Sequence, residues 1–157
     1  MGYPMDKSLD SEAATINLGR LLAPALDAAG VIFLSGGLGA GKTTLCRGLL
    51  RGLGYDGAVK SPTFTLVEPY ELERGSVHHF DLYRLAHPDE LDYLGAEDYF
   101  AAEALCLIEW PERGAGFLPT PDLELTLTVT SEASRQMQLR AQTLKGERAM
   151  ARLAQWL

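Results

Sequence analysis

Hydrophobic and polar positions follow two different periods along this chain, and these periods divide it into helices and strands. Apolar residues at helical spacing predict helices over residues 11–29, 42–53 and 145–157. Pro24 should kink or split the first of these helices. The last helix should turn four side chains inward, namely Met150, Leu153, Trp156 and Leu157.

Short apolar runs and strict alternation predict strands over residues 31–34, 77–85, 104–110, 123–129 and 136–141, and over the second half of residues 60–70. Within that second half, Phe64, Leu66 and Tyr70 should share one face. The run at 104–110 is apolar almost throughout, so we expect a central parallel strand that is buried on both faces. Antiparallel pairing is expected across the turn at 73–76 and between 123–129 and 136–141.

Residues 87–91 should begin a short helix, because Pro88 suits a first helical turn. The acidic and aromatic residues 92–100 that follow predict a helical excursion, which either covers one sheet edge or forms a partner surface.

A glycine-rich loop stands between the first predicted strand and the second predicted helix. Residues 36–43 read GGLGAGKT, which fits the pattern G-x-x-x-x-G-K-[ST], and Thr44 follows. Glycines let the backbone curl around a phosphate, and the N–H groups at the start of the helix point at it. Lys42 should reach the β- and γ-phosphates, and the Thr43 hydroxyl should bind Mg²⁺. The chain is therefore predicted to be an α/β protein with a single domain over residues 1–157, a three-layer P-loop NTPase-type fold whose central mixed sheet has parallel core strands and antiparallel edge ribbons.

Net charge, cysteine positions and the lack of long apolar runs limit the possible functions and cellular locations. The net charge of −7 argues against a face that grips nucleic acid directly, so any link to nucleic acid should run through a partner. Cys46 and Cys106 both lie in apolar patterns and are expected to be buried thiols of a reducing cytosol. Residues 1–10 lack the apolar core of a signal peptide, and the sequence has no run long enough to cross a bilayer. We therefore expect a cytoplasmic protein without a membrane anchor.

Two carboxylates stand where a P-loop protein needs an acidic group beside its metal. Glu109 ends the apolar strand at 104–110, and Asp81 ends the run VHHF. Ligands of open α/β sheets bind at the carboxyl ends of the strands. We expect Glu109 to hold Mg²⁺ and Asp81 to position water or stabilise the γ-phosphate. The alternative for either carboxylate is a structural pair with Arg84 or Arg113.

Two further groups of polar residues lie near these carboxylates in the sequence. Residues 60–65 carry three hydroxyls around a proline, and this segment either senses the γ-phosphate or is simply a polar entry to a strand. His78 and His79 are neighbours on a strand, so one should face the core and the other solvent, and no catalytic role is expected for them.

Guanine specificity is not supported. Residues 92–95 match D-x-x-G, but they lie in an acidic helical stretch, and the N-K-x-D pattern does not occur in the sequence.

Four blocks in this order resemble the TsaE family, formerly called YjeE: GGLGAGKTTLCRGLL at 36–50, VKSPTFTLVEPY at 59–70, HFDLYRL at 79–85 and LIEWPE at 107–112. The resemblance implies a small bacterial P-loop ATPase needed for the threonylcarbamoyladenosine modification of transfer RNA. It also implies that ATP and Mg²⁺ are bound, that the partner is the TsaD–TsaB heterodimer, and that ATP hydrolysis resets that complex without transfer of the threonylcarbamoyl group by this chain.

The resemblance also assigns residues. The implied phosphate-binding residues are Gly36, Gly39, Ala40, Gly41, Lys42, Thr43 and Thr44. Thr43 and Glu109 are the implied Mg²⁺ ligands, while Lys42, Asp81 and Thr65 are implied to support hydrolysis. Glu12 and Arg135 match further nucleotide contacts of the family, within a register of one or two residues.

Two functions other than that of an ATPase are also compatible with the sequence. One is a small-molecule kinase, although the segment after Asp81 is acidic and offers Arg84 as its only basic residue before Arg113. The other is a nucleotide-binding adaptor whose hydrolysis is incidental.

Overall fold

The computed structural model describes residues 3–101 and 103–157, so parts of the predicted domain and of residues 1–10 lie outside it. Within these described ranges one mixed sheet holds seven strands: β1 (Met5–Leu9), β2 (Gly30–Ser35), β3 (Val67–Leu72), β4 (Gly75–Asp81), β5 (Ala104–Glu109), β6 (Leu123–Val129) and β7 (Arg135–Ala141). Their order across the sheet is β1-β7-β6-β2-β5-β4-β3. The parallel strands β6, β2, β5 and β4 lie in the middle, and antiparallel β1–β7–β6 and β3–β4 pairs lie towards the edges.

Helices cover both faces of this sheet. They are α1 (Glu12–Ala25), α2 (Lys42–Gly52), α3 (Glu90–Tyr93), α4 (Ala96–Ala101) and α5 (Leu144–Trp156), with a 3₁₀ turn at Pro111–Gly114. The larger core lies between the sheet and α1, α2 and α5. A smaller core on the opposite face contains Phe80, Ile108 and residues from α3 and α4. The predicted three-layer α/β architecture is confirmed.

Side-chain caps fix where two of the helices begin. The Ser11 hydroxyl accepts a hydrogen bond from the backbone N–H of Ala14 at 3.1 Å, and Thr143 does the same for Gly146 at 3.0 Å. Such caps satisfy donors that a first helical turn leaves without partners. Glu12 in the first turn of α1 also suits the positive end of the helix dipole.

Close contact between α1 and α2 depends on glycine. A Cβ at Gly48 would collide with the carbonyl oxygen of Ile16, and one at Gly19 would collide with that of Leu45. Because neither side chain exists, the two helix backbones approach closely and α1 holds α2 against the sheet. α2 begins at the P-loop, so this contact also supports the loop.

Strand β5 is buried along its whole length, as predicted. It pairs in parallel with β2 on one side and with β4 on the other, in registers that place Glu109 beside Leu34 and beside Asp81. The carboxylates of Glu109 and Asp81 therefore end neighbouring strands at the sheet edge where the P-loop leaves β2. The prediction that the strand of Glu109 neighbours the P-loop strand is confirmed.

Several boundaries differ from the sequence-based predictions. The first helix ends at Ala25, because Asp27 and Ala28 turn into the left-handed backbone region with φ of 54° and 58°. Strand β4 ends at Asp81 instead of residue 85, and the helical stretch after it breaks into α3 and α4. Strand β1 was not predicted, since its residues MDKSL show little apolar pattern and it is an edge strand.

Three side-chain orientations are also corrected. The segment before β3 is a turn, so Phe64 does not lie on a strand face and is 81% exposed. Trp156 stays 43% exposed near the end of α5, because the core on that side closes around Ala149 and Leu153. His78 and His79 are both buried, since α3 and α4 cover the face that was expected to meet solvent.

None of the helices in the described part of the chain combines the length and the apolarity needed to span a membrane. Cys46 and Cys106 are buried free thiols, as predicted.

Candidate functional site

Backbone conformation shapes the loop between β2 and α2. Gly39 and Gly41 have φ of 76° and 101°, in the left-handed region that glycine enters without steric cost. Gly41 is the N-cap residue of α2, and its carbonyl accepts the first helical hydrogen bond from Leu45 N at 2.9 Å. The free N–H groups of the first turn therefore face outward from the loop, where they can bind an anion.

A cavity of about 400 Å³ opens over this loop. Its walls come from the P-loop and α2, from the segment before β3, from the ends of β4 and β5, and from β7. The lining residues are Leu38, Gly39, Ala40, Gly41, Lys42, Thr43, Thr44, Ser61, Thr63, Asp81, Tyr83, Arg84, Glu109, Trp110 and Arg135. Most of the residues predicted for the site are thus brought together around one space.

Lys42 lies deep in this cavity, with only 8% of its surface exposed. Its ammonium Nζ is 3.4 Å from Glu109 Oε1 and 4.8 Å from the centre of the Trp110 ring. Trp110 adopts the left-handed backbone conformation (φ 57°), which is uncommon for a bulky residue and turns the chain directly after Glu109. Lys42 is therefore held by a carboxylate and an aromatic face at the floor of the cavity.

Glu109 has a second partner that the sequence analysis missed. Its Oε2 lies 2.6 Å from His79 Nε2, and the other ring nitrogen of His79 lies 3.4 Å from the sulfur of Cys46. Burial alone would lower the pKa of His79, but Cys46 and Glu109 favour the charged ring and raise this pKa to about 10. Burial alone would raise the pKa of Glu109, but the hydrogen bond and charge of His79, with the charge of Lys42, lower it. The cluster is a buried carboxylate between two cations.

Asp81 occupies the other side of the cavity floor. Its Oδ1 accepts a hydrogen bond from the backbone N–H of Tyr83 at 3.0 Å, and its Oδ2 accepts one from the Thr63 hydroxyl at 3.2 Å. The Thr63 hydroxyl is also 2.7 Å from that of Ser61. A chain of polar groups therefore connects the segment before β3 to the carboxylate at the end of β4.

Arg135, at the start of β7, braces the loop from outside. Its Nε donates to the carbonyl of Ala40 at 3.0 Å and its Nη2 to that of Gly39 at 2.9 Å. Its Nη1 donates to three carbonyls of the preceding turn, those of Ser131, Glu132 and Ser134. The guanidinium stabilises the P-loop carbonyls, so that the loop N–H groups are left to face the cavity.

Three predicted residues lie outside the main cavity. Gly36 lines a neighbouring cavity of about 290 Å³ that also touches Lys42 and Trp110. Glu12 lines a cavity of about 150 Å³ with Gly41, Thr44 and Arg135, and its carboxylate is 3.8 Å from the Arg47 guanidinium.

Thr65 is the third. It does not line the main cavity, and its hydroxyl donates to Glu68 at 3.1 Å. Within the same segment it is the Thr63 hydroxyl that reaches Asp81, because the backbone from 62 to 66 turns and sends the two hydroxyls in different directions.

The alternative prediction, that Glu109 or Asp81 pairs with Arg84 or Arg113, is wrong. Glu109 pairs with Lys42 and His79, and Asp81 bonds Thr63 and a backbone N–H, so neither forms an ion pair with Arg84 or Arg113 in the described ranges. The sequence did carry one signal for His79: it precedes Asp81 by two residues on β4, so both side chains lie on the same face of the sheet, next to β5.

The oxygen donors of the cavity fit Mg²⁺ bound together with a nucleotide. Thr43 and Glu109 line the same space and offer a hydroxyl and a carboxylate. The described residues contain no group of three or more His, Cys, Asp or Glu side chains placed to hold a metal by themselves. Mg²⁺ in nucleotide sites usually keeps several waters and takes one or two protein oxygens plus phosphates, so a small donor set is what it requires.

The family model described as "Threonylcarbamoyl adenosine biosynthesis protein TsaE" matches residues 9–137. This segment contains every residue that lines the main cavity. The chain belongs to the TsaE family.

Individual relatives agree with this TsaE assignment. The chain is 50% identical over 117 residues to the tRNA threonylcarbamoyladenosine biosynthesis protein TsaE of Haemophilus influenzae, covering 74% of this chain and 73% of that protein. It is 42% identical over 135 residues to the TsaE protein of Nostoc sp., covering 83% and 82% of the two chains. The crystal structure of Bacillus subtilis YdiB superposes with a TM-score of 0.80 at 26% identity, over 99% of this chain and 97% of YdiB.

Proposed function

We propose that this TsaE-family protein supports threonylcarbamoyladenosine synthesis on transfer RNA by binding ATP with Mg²⁺ and hydrolysing it in association with a TsaD–TsaB complex. The observation that carries the proposal is the convergence of Lys42, Glu109 and Asp81 on one cavity over the P-loop. The names of the relatives support the pathway, since they are described as tRNA threonylcarbamoyladenosine biosynthesis proteins.

The phosphates of ATP would meet the N–H groups of residues 39–44 and the ammonium of Lys42. Lys42 must then move from Glu109 Oε1, which is 3.4 Å away, towards the β- and γ-phosphates. This movement leaves one oxygen of Glu109 free at the cavity, beside the strand that leads to Thr43. Thr43 and Glu109 are the residues that would hold Mg²⁺, which when bound neutralises charge on the phosphate oxygens.

Asp81 is the group best placed to orient an attacking water. Both of its oxygens are positioned by hydrogen bonds, from Thr63 and from Tyr83 N, and it ends the strand beside Glu109. In phosphoryl transfer, catalysis comes mainly from positioning and charge stabilisation, so a fixed carboxylate is useful even without covalent chemistry.

Exposure around the cavity supports a function within a complex. Leu38 at the tip of the P-loop is 93% exposed and Phe64 is 81% exposed, although both are large apolar side chains. The Arg84 guanidinium, which lines the cavity, stacks 4.2 Å from the centre of the Phe64 ring. Apolar groups beside a ligand site are typical of surfaces that a partner covers.

The test is ATP turnover by the protein alone and with purified TsaD–TsaB. We expect slow Mg²⁺-dependent release of inorganic phosphate that changes when the complex is added. Binding of the complex without any effect on turnover would favour a nucleotide-binding adaptor, while phosphate transferred to a small molecule would favour a kinase. A complex that neither binds the chain nor alters its turnover would overturn the proposal.

A further inference from the structure

Two adjacent buried histidines on β4 have very different surroundings. His78 and His79 are only 6% and 2% exposed, and they point to opposite faces of the sheet. His78 packs edge-on against Tyr99, with ring centres 4.8 Å apart, and its Nδ1 has no hydrogen-bond partner in the described part of the chain. His79 instead contacts a polar group through each ring nitrogen. One histidine is therefore a packing residue, and the other belongs to a polar cluster.

The contacts of His79 join three elements at the floor of the cavity. Its ring stands on β4, its Nε2 reaches Glu109 on β5, and its Nδ1 reaches Cys46 on α2. Cys46 lies one helical turn after Lys42, so both face the sheet from the same side of α2. Because a carboxylate only accepts hydrogen bonds, Nε2 is the donor in the bond to Glu109.

The two oxygens of Glu109 are divided between its partners. Oε2 bonds His79 at 2.6 Å, whereas Oε1 faces Lys42 at 3.4 Å. The first contact is short, directional and almost fully buried, and the second joins a side chain that lines the cavity. A ligand that draws Lys42 away would release Oε1 but not Oε2.

We infer that His79 is a positioning residue, which holds Oε2 of Glu109 so that Oε1 is presented to the metal–nucleotide complex when Lys42 turns to the phosphates. This inference rests on the proposed function, because it assigns a supporting role within the same site. Residues that orient a metal ligand from behind commonly change metal affinity or activity about 10- to 100-fold when they are replaced.

The experiment exploits the two different nitrogens of the ring. His79→Gln places an amide nitrogen at the position of Nε2 and can keep the bond to Glu109. His79→Asn places its amide nitrogen at the position of Nδ1, towards Cys46, and loses the bond to Glu109. His78→Gln and His78→Asn are the matched controls, since they make the same changes to a buried histidine on the opposite face.

Two quantities are measured for each variant: ATP affinity by calorimetry with and without Mg²⁺, and kcat and KM for Mg-ATP with and without TsaD–TsaB. Thermal midpoints are recorded in parallel. We expect His79→Asn to reduce the gain in ATP affinity that Mg²⁺ provides, and kcat, by about 10-fold or more. His79→Gln should stay within about threefold of wild type, affinity without Mg²⁺ should be similar in all variants, and the His78 variants should change neither quantity.

Equal losses in His79→Gln and His79→Asn that follow their thermal midpoints would overturn the inference and leave His79 a packing residue. Values for His79→Asn that match wild type would overturn it as well. These outcomes leave the proposed function intact as long as the wild type binds Mg-ATP more tightly than free ATP. A wild-type protein that does not bind nucleotide would instead defeat the proposed function and the inference together.

Discussion

The floor and the rim of the cavity are built in opposite ways. The floor consists of Lys42, Glu109 and Asp81, and His79 lies directly behind Glu109. All four side chains are at least nine-tenths buried and make short polar contacts. The rim includes Leu38, and the Phe64 ring lies next to it against the Arg84 guanidinium. Both apolar side chains are largely exposed and lie on turns instead of strands or helices.

This difference separates two tasks. Buried charges keep their geometry because leaving any of them without a partner in a low dielectric costs several kcal/mol, on the order of 3–5 for a broken buried pair. Exposed side chains on turns are free to rearrange against a ligand or a partner. The floor is therefore preorganised for the proposed binding of phosphate and metal, and the rim is the part that another molecule can change.

The largest loss of turnover and of ATP affinity is expected for a change at the floor, Lys42→Ala. The variant removes the ammonium that is proposed to meet the β- and γ-phosphates, so turnover should disappear and ATP affinity should fall by about 10- to 100-fold. Calorimetric titration with ATP measures this, and Lys7→Ala on the exposed edge strand β1 is the control for loss of a surface charge. Normal ATP affinity in Lys42→Ala would contradict the assignment of the loop.

The second largest loss of turnover is expected in Glu109→Gln. This variant should separate the effect on Mg²⁺-dependent turnover from the effect on ATP binding. We expect Mg²⁺-dependent turnover to fall about 100-fold or more, because the proposed carboxylate ligand of Mg²⁺ is lost. Affinity for ATP without Mg²⁺ should stay the same or increase, since Lys42 no longer has to leave a carboxylate 3.4 Å away. Parallel measurements on Glu97→Ala in α4 control for loss of an acidic side chain, and equal losses with and without Mg²⁺ would indicate a folding role for Glu109.

The charge cluster at the floor should also make the protein less stable at alkaline pH. The pKa of His79 is raised to about 10, so its contribution to the free energy of unfolding is complete below the unfolded value, about 6.5, and is lost as pH rises through 10. The thermal midpoint of the wild type should therefore fall more between pH 7 and pH 10 than that of His79→Gln. Parallel curves for the two proteins would show that the charge of His79 does not stabilise the fold.

The smallest effect is expected at the edge of the rim, where two threonines of one turn can be compared. Thr63 donates to Asp81 at 3.2 Å, whereas Thr65 donates to Glu68 away from the cavity. Thr63→Ala should lower kcat about 3- to 10-fold through the loss of one hydrogen bond to a carboxylate, and Thr65→Ala should leave it within about twofold. Steady-state kinetics decide this, and a larger loss in Thr65→Ala would restore Thr65 as the functional hydroxyl.

Sequence reasoning was accurate where the signal is local and strong. The glycine-rich loop matches a specific motif and strand β5 is an uninterrupted apolar run, and both lie where predicted. The placement of Glu109 beside the P-loop strand followed from burial alone, since the most apolar strand of a sheet usually lies at its centre.

The sequence-based predictions were wrong for residues whose contacts come from distant parts of the chain. His79 was expected to be uninvolved, because nothing near it in sequence shows that Cys46 and Glu109 approach from α2 and β5. Phe64 was placed on a strand, and only the left-handed backbone at Leu66, with φ of 72°, shows that the chain turns there before β3 begins. Strand β1 gave no local signal, since it gains its structure by pairing with β7 at the far end of the chain.

The sequence by itself determined the loop, the strand that feeds it and the helix that follows, because glycine conformation and hydrophobic period act over a few neighbouring residues. The tertiary structure alone decided which groups surround Glu109 and which threonine reaches Asp81. Those contacts depend on strand order and on the facing of α2, which are set by burial of the whole core. A histidine becomes part of a charge cluster only when the fold brings a carboxylate to one nitrogen and a thiol to the other.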